Sequence, residues 1–349
     1  MDKIKFPANS FEDFMVDSIK GYDDKTLVYV DGYDLRTAIA VAEFVKFNSS
    51  KLVLLGQKKL IEDNLKQAGT KSDKLEIIEP EKSDKFDSYT EILIKRFKER
   101  GKDIPEEQAR EIVSKPNYYA SLMLKAGDAH GGVSGSLSST EAMMRPLIQV
   151  IGTGNPKKYL SGAAIQIVPG CPYGLDGQFL FADTAVIPDP DEKQMIDIVL
   201  LSYQTAKALF NGEPKIAMLS YSTKGSAKGE KIDQINRVIE KVKKLDPRIK
   251  IDGELQFDAA VVPEVAKVKS RNSEVAGQAN VLIFPNLDAT NICIKAVHRL
   301  AKSFYYGSII QGSPVPFNDL SRGCSPVEVL TMTAITLMQI KETEREKSI

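Results

Sequence analysis

The sequence predicts an α/β protein of two domains, each with a mostly parallel sheet and helices on both sheet faces. Short apolar runs alternate with segments of helical spacing, as in residues 27–30, 35–47 and 52–55. This alternation is typical of βαβ units, because their crossover helices cover both faces of a parallel sheet. The length of 349 residues exceeds what one small hydrophobic core supports, which favours two domains.

The first part of the chain supplies three predicted strands and one predicted helix. Residues 27–30, 52–55 and 75–78 are short runs rich in Leu, Val and Ile, as expected of buried strands. Between the first two, residues 35–47 carry apolar side chains at the spacing of an amphipathic helix. Gly56 then follows a strand, where a turn is expected.

The same rhythm continues further along the chain. The predicted strands are 163–168, 179–187, 216–220 and 281–284, and the predicted helices are 195–210, 232–245 and about 291–300. The helix at 232–245 is the clearest, because its Ile, Val and Leu side chains recur every three or four residues and form one apolar face. Two Pro and two Gly in residues 169–174 predict a turn-rich loop between the first two strands.

Composition excludes several classes of function. The 47 basic side chains balance 47 acidic ones, so the basic excess of a nucleic-acid binder is missing. No run approaches the about 18 apolar residues of a membrane span, and the N-terminus lacks the apolar core of a signal peptide. Three widely spaced Cys and two His give neither a metal-ligand pattern nor a Ser-His-Asp triad. We therefore expect a cytoplasmic protein that binds no nucleic acid, no membrane and no metal.

Residues 318–325 carry the strongest chemical signal. The start of a helix is predicted at Ser325, which is suited to be the N-cap. Pro326 follows it at the first helical position, and Glu328 lies three residues after the cap. Free backbone N–H groups at a helix start attract anions, and Arg322 adds donors suited to phosphate or carboxylate. The segment therefore predicts an anion site. A glutamate at this offset also completes a capping box, so Glu328 has a purely structural alternative.

A second segment, residues 125–146, is rich in Gly, Ser and Thr. We expect it to form tight turns that bring backbone N–H groups close to a ligand, and not an element of the core. Ser138, Ser139 or Thr140 is expected to cap a helix that carries Arg145. An ordinary loop–helix junction is the alternative. The segment matches neither a P-loop nor a dinucleotide-binding pattern.

A third segment, residues 220–229, follows the predicted strand 216–220. In α/β folds ligands bind at the carboxyl ends of strands, which makes this loop a candidate site. Lys224 and Lys228 supply positive charge, and Thr223 and Ser226 supply polar groups. A solvated basic loop is the alternative.

Together these segments resemble the phosphate acetyltransferase family. The motifs are Asn-Asp-Leu-Ser-Arg-Gly-Cys-Ser at 318–325, Met-Leu-Ser-Tyr-Ser-Thr-Lys-Gly-Ser-Ala-Lys at 218–228, Asp-Gly-Glu-Leu-Gln-Phe-Asp-Ala-Ala at 252–260, Ala-Asn-Val-Leu-Ile-Phe-Pro-Asn-Leu at 279–287, Val-Ser-Gly-Ser at 133–136 and Ser-Thr-Glu-Ala-Met-Met-Arg-Pro at 139–146. The resemblance covers about residues 11 to 340, in the family's usual order.

The resemblance implies reversible transfer of an acetyl group between coenzyme A and inorganic phosphate, with CoA, acetyl phosphate and phosphate as substrates and no cofactor. It implies an architecture like that of isocitrate and isopropylmalate dehydrogenases, with the active site in the interdomain cleft. Domain 1 is then expected at 1–155 and 309–349, and an inserted domain 2 at 156–308. A homodimer is the expected assembly.

The resemblance also implies roles for individual residues. Ser321 and Arg322 match the family's active-site pair, and Glu328 lies where the family's catalytic acid, often Asp, is found. Arg145 and Arg96 match substrate-site arginines, although an apparent insertion at 98–104 affects the alignment of Arg96. The expected substrate-binding set is Arg96, Ser139, Thr140, Arg145, Thr223, Lys224 and Ser226.

Three alternatives remain open at this point. Phosphate butyryltransferase performs the same chemistry on a longer acyl group. An NAD(P)-dependent dehydrogenase on the same architecture needs a cluster of metal-binding aspartates, and the acids between 176 and 191 are more simply loop residues. A non-catalytic member of the family is disfavoured by the intact Ser321–Arg322 pair.

Overall fold

The computed structural model describes residues 10–71, 73–153 and 159–347. The α-helices are α1 Phe11–Ser18, α2 Leu35–Phe44, α3 Lys58–Gln67, α4 Phe86–Glu99, α5 Glu106–Val113, α6 Pro116–Ala126, α7 Thr140–Pro146, α8 Glu192–Leu209, α9 Glu230–Leu245, α10 Phe257–Val261, α11 Pro263–Lys269, α12 Leu287–Leu300 and α13 Pro326–Lys347. The strands are β1 Thr26–Tyr29, β2 Lys51–Leu55, β3 Leu75–Ile78, β4 Gly131–Ser134, β5 Ser161–Ile167, β6 Gln178–Ala182, β7 Lys215–Leu219, β8 Lys250–Leu255, β9 Val281–Ile283, β10 Phe304–Gln311 and β11 Phe317–Asp319.

The chain divides into two compact units. Unit 1 comprises Met1–Gly154 and Ser313–Ile349, and unit 2 comprises Asn155–Gly312. Unit 1 is therefore discontinuous in sequence, because its last strand β11 and its last helix α13 come after the whole of unit 2.

Unit 1 contains a parallel sheet of five strands in the order β11-β4-β1-β2-β3. The side chains of β1 and the last four residues of β2 are almost all buried, as expected for a sheet covered on both faces. Helices α1, α2 and α13 pack together, and α4, α5, α6 and α7 form a second group. Both groups contact β4, so helices cover the sheet on two sides, as the βαβ pattern predicted.

Strand β4 contradicts the expectation that residues 125–146 contain no core element. All four of its residues are buried, and it lies between β1 and β11. A Cβ on Gly131 would lie 2.7 Å from Thr336 Cγ2 of α13, and a Cβ on Gly132 would lie 2.8 Å from the Phe317 ring of β11. The glycines are thus strand residues that let a helix and a neighbouring side chain approach the sheet closely.

Unit 2 contains a sheet of six strands in the order β10-β5-β6-β9-β7-β8. The pairs β6–β9, β9–β7 and β7–β8 are parallel, whereas β10–β5 and β5–β6 are antiparallel. The mostly parallel α/β class predicted from the sequence is confirmed in both units. A core of buried Ala, Phe, Val and Leu side chains joins this sheet to α10, α11 and α12.

The predicted strand 179–187 is too long, because β6 ends at Ala182. The carboxylate of Asp183 accepts hydrogen bonds from the backbone N–H groups of Ala185, Val186 and Ile187 at 2.8–3.0 Å. These bonds fold the chain into a turn directly after the strand. Apolar residues beyond Asp183 had extended the predicted strand into that turn.

Candidate active site

The carboxyl edge of the unit 1 sheet carries the candidate site. Strands β1, β4 and β11 are neighbours and parallel, so the segments that follow them lie side by side at one edge. These segments are residues 30–34, 135–139 and 320–325. Ligand sites in α/β sheets occupy this kind of edge, and two of the three segments are those that the sequence singled out.

Ser321 and Arg322 lie exposed in the turn between β11 and α13. The Cys324 N–H donates to the Ser321 carbonyl oxygen at 2.9 Å, and the Gly323 N–H donates to Ser321 Oγ at 3.3 Å. Among the described residues, the Arg322 side chain has no hydrogen-bond or ion-pair partner. Its guanidinium is therefore available to an anion.

Glu328 forms the capping box that the sequence predicted. The Ser325 N–H donates to Glu328 Oε2 at 2.6 Å, and the Glu328 N–H donates to Ser325 Oγ at 3.3 Å. Helix α13 therefore begins with both partners of the box in place. Only one carboxylate oxygen of Glu328 is used in this way.

Arg36, near the start of α2, fixes the backbone of two of the three segments. Its Nη1 donates to the carbonyl oxygens of Arg322 and Cys324 at 2.8 and 3.0 Å. Its Nη2 donates to the Ser136 carbonyl oxygen at 2.7 Å and to Asp34 Oδ2 at 2.6 Å. Burial alone would raise the pKa of Asp34, but the hydrogen bonds from Arg36 outweigh it and lower that pKa. The ion pair thus clamps the Ser321–Arg322 turn to the Gly/Ser/Thr segment.

Asp31, in the segment after β1, organises the Gly/Ser/Thr segment. Its Oδ2 accepts from the N–H groups of Gly135 and Leu137 at 2.9 and 3.3 Å, and its Oδ1 accepts from Ser138 Oγ at 2.9 Å. Ser139 then caps α7 by accepting from the Ala142 N–H, which settles which of the three predicted residues is the cap. The turns predicted here are therefore held by an aspartate that the sequence analysis missed.

Asp319, the last residue of β11, lies under the same segments. Thr140 Oγ1 donates to Asp319 Oδ2 at 2.6 Å, and Asp319 is only 3% exposed. Burial raises its pKa to about 7, and the charge of Asp31 acts in the same direction, whereas Thr140 and Arg322 act against it. A Cβ on Gly135, whose φ is +99°, would collide with Asp319 Oδ1. Only glycine fits at that point of the turn.

Arg145 lies on α7 beside a groove in unit 1. The groove has a volume of about 510 Å³, and Lys115, Tyr118, Ser139 and Arg145 contribute to its lining. Arg145 Nη2 pairs with Glu141 Oε1 at 2.6 Å, and both side chains are exposed. An exposed ion pair of this kind contributes about 0–1 kcal/mol, so an anionic ligand can replace its carboxylate.

Arg96 is engaged elsewhere in unit 1. Its Nε donates to the Val150 carbonyl oxygen at 3.0 Å, and its Nη1 pairs with Glu99 at 3.1 Å. It forms no hydrogen bond with the other predicted site residues in the described part of the chain. Its visible role is to hold the π-helical turn at Leu147–Ile151.

In unit 2 the predicted loop follows β7 and contacts the end of β8. Thr223 Oγ1 accepts from the Gln256 N–H at 2.9 Å, and Ser226 Oγ accepts from the Thr223 N–H at 3.0 Å. Lys224 forms an ion pair with Asp252. The polar groups predicted to bind a ligand therefore order their own loop.

Glu254 completes the order of this loop. Its Oε1 accepts from the Gly225 N–H at 2.6 Å and from Ser222 Oγ at 3.0 Å, and the residue is 2% exposed. Burial acts to raise the pKa of Glu254, but these hydrogen bonds prevail and the pKa lies below its ordinary value.

Comparisons with known proteins identify the family. The family model described as phosphate acetyl/butaryl transferase matches residues 10–337. The chain belongs to this family. A phosphate acetyltransferase of Thermoanaerobacterium thermosaccharolyticum is 44% identical over 317 residues, which are 90% of this chain and 95% of that protein. A solved phosphotransacetylase of Streptococcus pyogenes superposes with a TM-score of 0.85 at 34% identity, covering 97% of this chain and 100% of that one.

The predicted relation to a dehydrogenase architecture also finds support at the level of fold. A solved protein of Salmonella typhimurium, described as a 4-hydroxythreonine-4-phosphate dehydrogenase, covers 90% of this chain and 99% of its own with a TM-score of 0.51. At 12% identity this likeness concerns the fold alone. Within the described residues, no three His, Cys, Asp or Glu side chains cluster as metal ligands would. None of the described helices is long and apolar enough to cross a bilayer.

The family's predicted site residues fall into three places. Ser321 and Arg322 lie in the turn after β11, and Glu328 lies in the first turn of α13. Thr140 is linked to this region by its hydrogen bond to Asp319. Ser139 and Arg145 line the groove beside α7, while Arg96 holds a separate turn. Thr223, Lys224 and Ser226 belong to unit 2. The residues that sequence reasoning missed are Asp31, Asp34, Arg36 and Asp319. The first three follow a correctly predicted strand, and that position was the available signal.

Proposed function

We propose that this chain catalyses the reversible reaction acetyl-CoA + phosphate ⇌ CoA + acetyl phosphate. The observation that carries the proposal is an exposed, unpaired Arg322 guanidinium in the turn that leads into α13, whose first helical turn carries the Glu328 carboxylate. The name phosphate acetyltransferase, borne by relatives up to 44% identical, supports acetyl as the transferred group.

In the direction of acetyl-CoA formation, Glu328 removes the proton of the CoA thiol. An ordinary thiol has a pKa of about 8.5, so a base increases the thiolate present at neutral pH. The sulfur forms a bond with the acetyl carbon, and the bond from that carbon to the phosphate oxygen then breaks. The proton held by Glu328 passes to the leaving phosphate. Arg322 stabilises the negative charge that develops on the acetyl oxygen and on phosphate. The Ser321 hydroxyl donates a hydrogen bond to the acetyl oxygen.

The cap and the base are compatible roles for Glu328. Oε2 accepts from the Ser325 N–H, and Oε1 has no hydrogen-bond partner among the described residues. The box orients the carboxylate, and the second oxygen takes the proton. The acetyl group passes directly between the substrates, with no acetyl-cysteine intermediate. The state of Cys324 agrees with this, because burial raises the pKa of its thiol to about 11 and keeps it protonated. Acyl transfer changes no oxidation state and needs no metal or redox cofactor.

For the substrate, we assign the main electrostatic contacts to Arg322 and Arg145. The exposed Arg145–Glu141 pair is readily exchanged for a phosphate group. Ser139 and Thr140 shape the segment next to these cations, and Arg96 supports it through the turn it holds. In unit 2, we assign Thr223, Lys224 and Ser226 to the loop that contacts coenzyme A.

The decisive experiment measures phosphate-dependent release of the CoA thiol from acetyl-CoA with no metal or NAD added. Arg322→Ala is expected to lower kcat by roughly two to three orders of magnitude, because it removes a donor aimed at the transition state. Its melting temperature is expected to stay unchanged, since the side chain is exposed and unpaired in the described structure. Wild-type turnover in this variant refutes the assignment. A higher kcat/KM with butyryl-CoA than with acetyl-CoA would identify the longer substrate instead.

We also propose that the enzyme is a cytoplasmic homodimer whose only partners are these small molecules. Free thiols at Cys171, Cys293 and Cys324 agree with a reducing compartment. Light scattering coupled to size-exclusion chromatography tests the assembly. A single peak at the mass of one 38.5 kDa chain would contradict a dimer.

A further inference from the structure

Asp319 is a buried carboxyl group two residues before Ser321. Its Oδ2 accepts from Thr140 Oγ1, and its Oδ1 is buried without a hydrogen-bond partner among the described residues. A Cβ on Gly135 would collide with that Oδ1 and lie 2.6 Å from the Leu320 N. The carboxyl group is therefore wedged between the Gly/Ser/Thr segment and the turn that carries Arg322. A buried carboxylate oxygen with no donor is unfavourable, whereas the neutral acid tolerates this position better.

The charges around Asp319 come from each element packed against it. Asp31, after β1, repels its negative charge, and Arg322, in its own turn, attracts it. Residues 134–140 contribute the Thr140 hydroxyl and no titratable side chain. Within the described residues, the other titratable groups at this edge are Tyr33, the Asp34–Arg36 ion pair, Cys324 before α13 and Glu328 in its first turn. With burial as the main cause, the pKa of Asp319 rises to about 7. Near neutral pH the group thus exchanges between acid and carboxylate.

We propose that Asp319 is a positioning residue whose protonation state sets how strongly Arg322 attracts the phosphoryl group of the substrate. The neutral acid leaves the full charge of Arg322 for the substrate. The negative charge of the carboxylate offsets part of the positive charge of Arg322 and repels the incoming anion. This inference rests on the proposed function, because it assigns the phosphoryl group to Arg322.

The coupling has a defined sign and a reciprocal. An anion on Arg322 disfavours the carboxylate, so binding raises the pKa of Asp319 and takes up a proton near pH 7. By linkage, affinity for the anion is constant well below pH 7 and falls as pH rises through that region. A coupling in the usual range corresponds to about a five- to tenfold loss of affinity between pH 6 and pH 9.

The kinetic test compares wild type with Asp319→Asn, which is neutral at every pH and can still accept from Thr140. Acetyl phosphate is the varied substrate at saturating CoA, because inorganic phosphate itself titrates near pH 7. We expect the wild-type KM to rise about five- to tenfold from pH 6 to pH 9. In Asp319→Asn the KM should stay within about twofold of the wild-type value at pH 6. Superimposable KM profiles for the two proteins overturn the proposal.

Asp128→Asn is the matched control. Asp128 is a carboxylate of the same unit that also accepts from a hydroxyl, Tyr89 Oη at 2.7 Å, but it is exposed and contacts none of the candidate site. This variant should keep the wild-type rise in KM. A flat profile in Asp128→Asn would show that the pH dependence does not come from Asp319, and would overturn the proposal.

A second measurement needs neither turnover nor a folded variant. Sulfate remains a dianion from pH 6 to pH 9, so its binding to the wild-type enzyme can be followed calorimetrically at pH 7 in buffers of different protonation enthalpy. We expect uptake of a fraction of a proton per sulfate, and no net uptake contradicts the coupling. Proton uptake in a protein without acetyl transfer would retain the coupling between Asp319 and a bound anion, and would reject the proposed function together with the assignment of the substrate's phosphoryl group. Acetyl transfer without proton uptake, and with matching KM profiles, would reject only this inference.

Discussion

Glu328 offers the sharpest test, because one substitution separates its two roles. In Glu328→Gln the side-chain carbonyl can still accept from the Ser325 N–H, which lies 2.6 Å from Oε2 in the wild type. The variant loses only the favourable charge at the start of α13, worth about 0.3–1 kcal/mol. For a unit of this size each kcal/mol changes the melting temperature by about 2–4 °C, so we expect a decrease of at most about 4 °C. The amide cannot accept the thiol proton, so kcat should fall by about two to four orders of magnitude.

The assay is thiol release from acetyl-CoA at saturating phosphate, paired with calorimetric melting. Ser325→Ala is the matched control, because it removes the other half of the box and leaves the Glu328 carboxylate in the protein. It should melt a few degrees lower, in line with a cap loss of about 0.5–2 kcal/mol, and retain most of kcat. The base assignment is wrong if Glu328→Gln turns over like the wild type. It is also wrong if Ser325→Ala loses as much kcat as Glu328→Gln, since the cap alone would then explain the effect.

The remaining predictions concern Arg36 and Asp319. Arg36→Ala removes donors from three carbonyl oxygens, so we expect a loss of about 2–4 kcal/mol in unfolding free energy and a kcat at least tenfold lower. An Arg36→Ala enzyme with wild-type stability and kcat would contradict the clamp. The pKa of Asp319 is raised from 3.8 to about 7, so the folded state holds a proton that the unfolded chain releases, and wild-type stability falls as pH rises between these values. The wild-type free energy of unfolding then falls by about 1.36 kcal/mol per pH unit. From pH 5 to pH 8, urea unfolding should show Asp319→Asn gaining about 3 kcal/mol of unfolding free energy relative to wild type. A difference between the two proteins that does not change with pH would refute this.

The elements with apolar periodicity could be predicted from the sequence. Strand β3 occupies the predicted residues 75–78, and α9 contains the predicted helix 232–245. The apolar side of α9 is buried except at its last residue, Leu245, which is exposed. Strands β4 and β11 could not be predicted, for different reasons. β4 carries glycines because α13 and Phe317 approach it closely. In β11 two of the three residues are polar, whereas β9, which is equally short, is wholly apolar and was predicted. Both patterns depend on neighbours that are distant in the chain.

The same limit applies to the candidate site. Local sequence predicted the Ser325–Glu328 capping box, since both partners lie within one turn of helix. The strand order β11-β4-β1 could not be predicted from local sequence. It is this order that brings Arg36 to the carbonyl oxygens of Arg322 and Ser136. The chain separation between Arg36 and Arg322 is 286 residues. No spacing rule reaches that far.

The hydroxyl-rich segments bear on how the enzyme binds an anion. Thr140 donates to Asp319, Ser139 caps α7, and Thr223 and Ser226 serve their own loop. Each of these hydroxyl groups has an internal partner. The Thr140 proton is already donated to Asp319, so a substrate oxygen could take it only by displacing that hydrogen bond. The guanidinium of Arg322 has no such partner in the described structure. The hydroxyl groups hold the backbone, and the positive charge of Arg322 is in position before the substrate binds. Little reorganisation of the site is therefore needed when negative charge develops on the substrate.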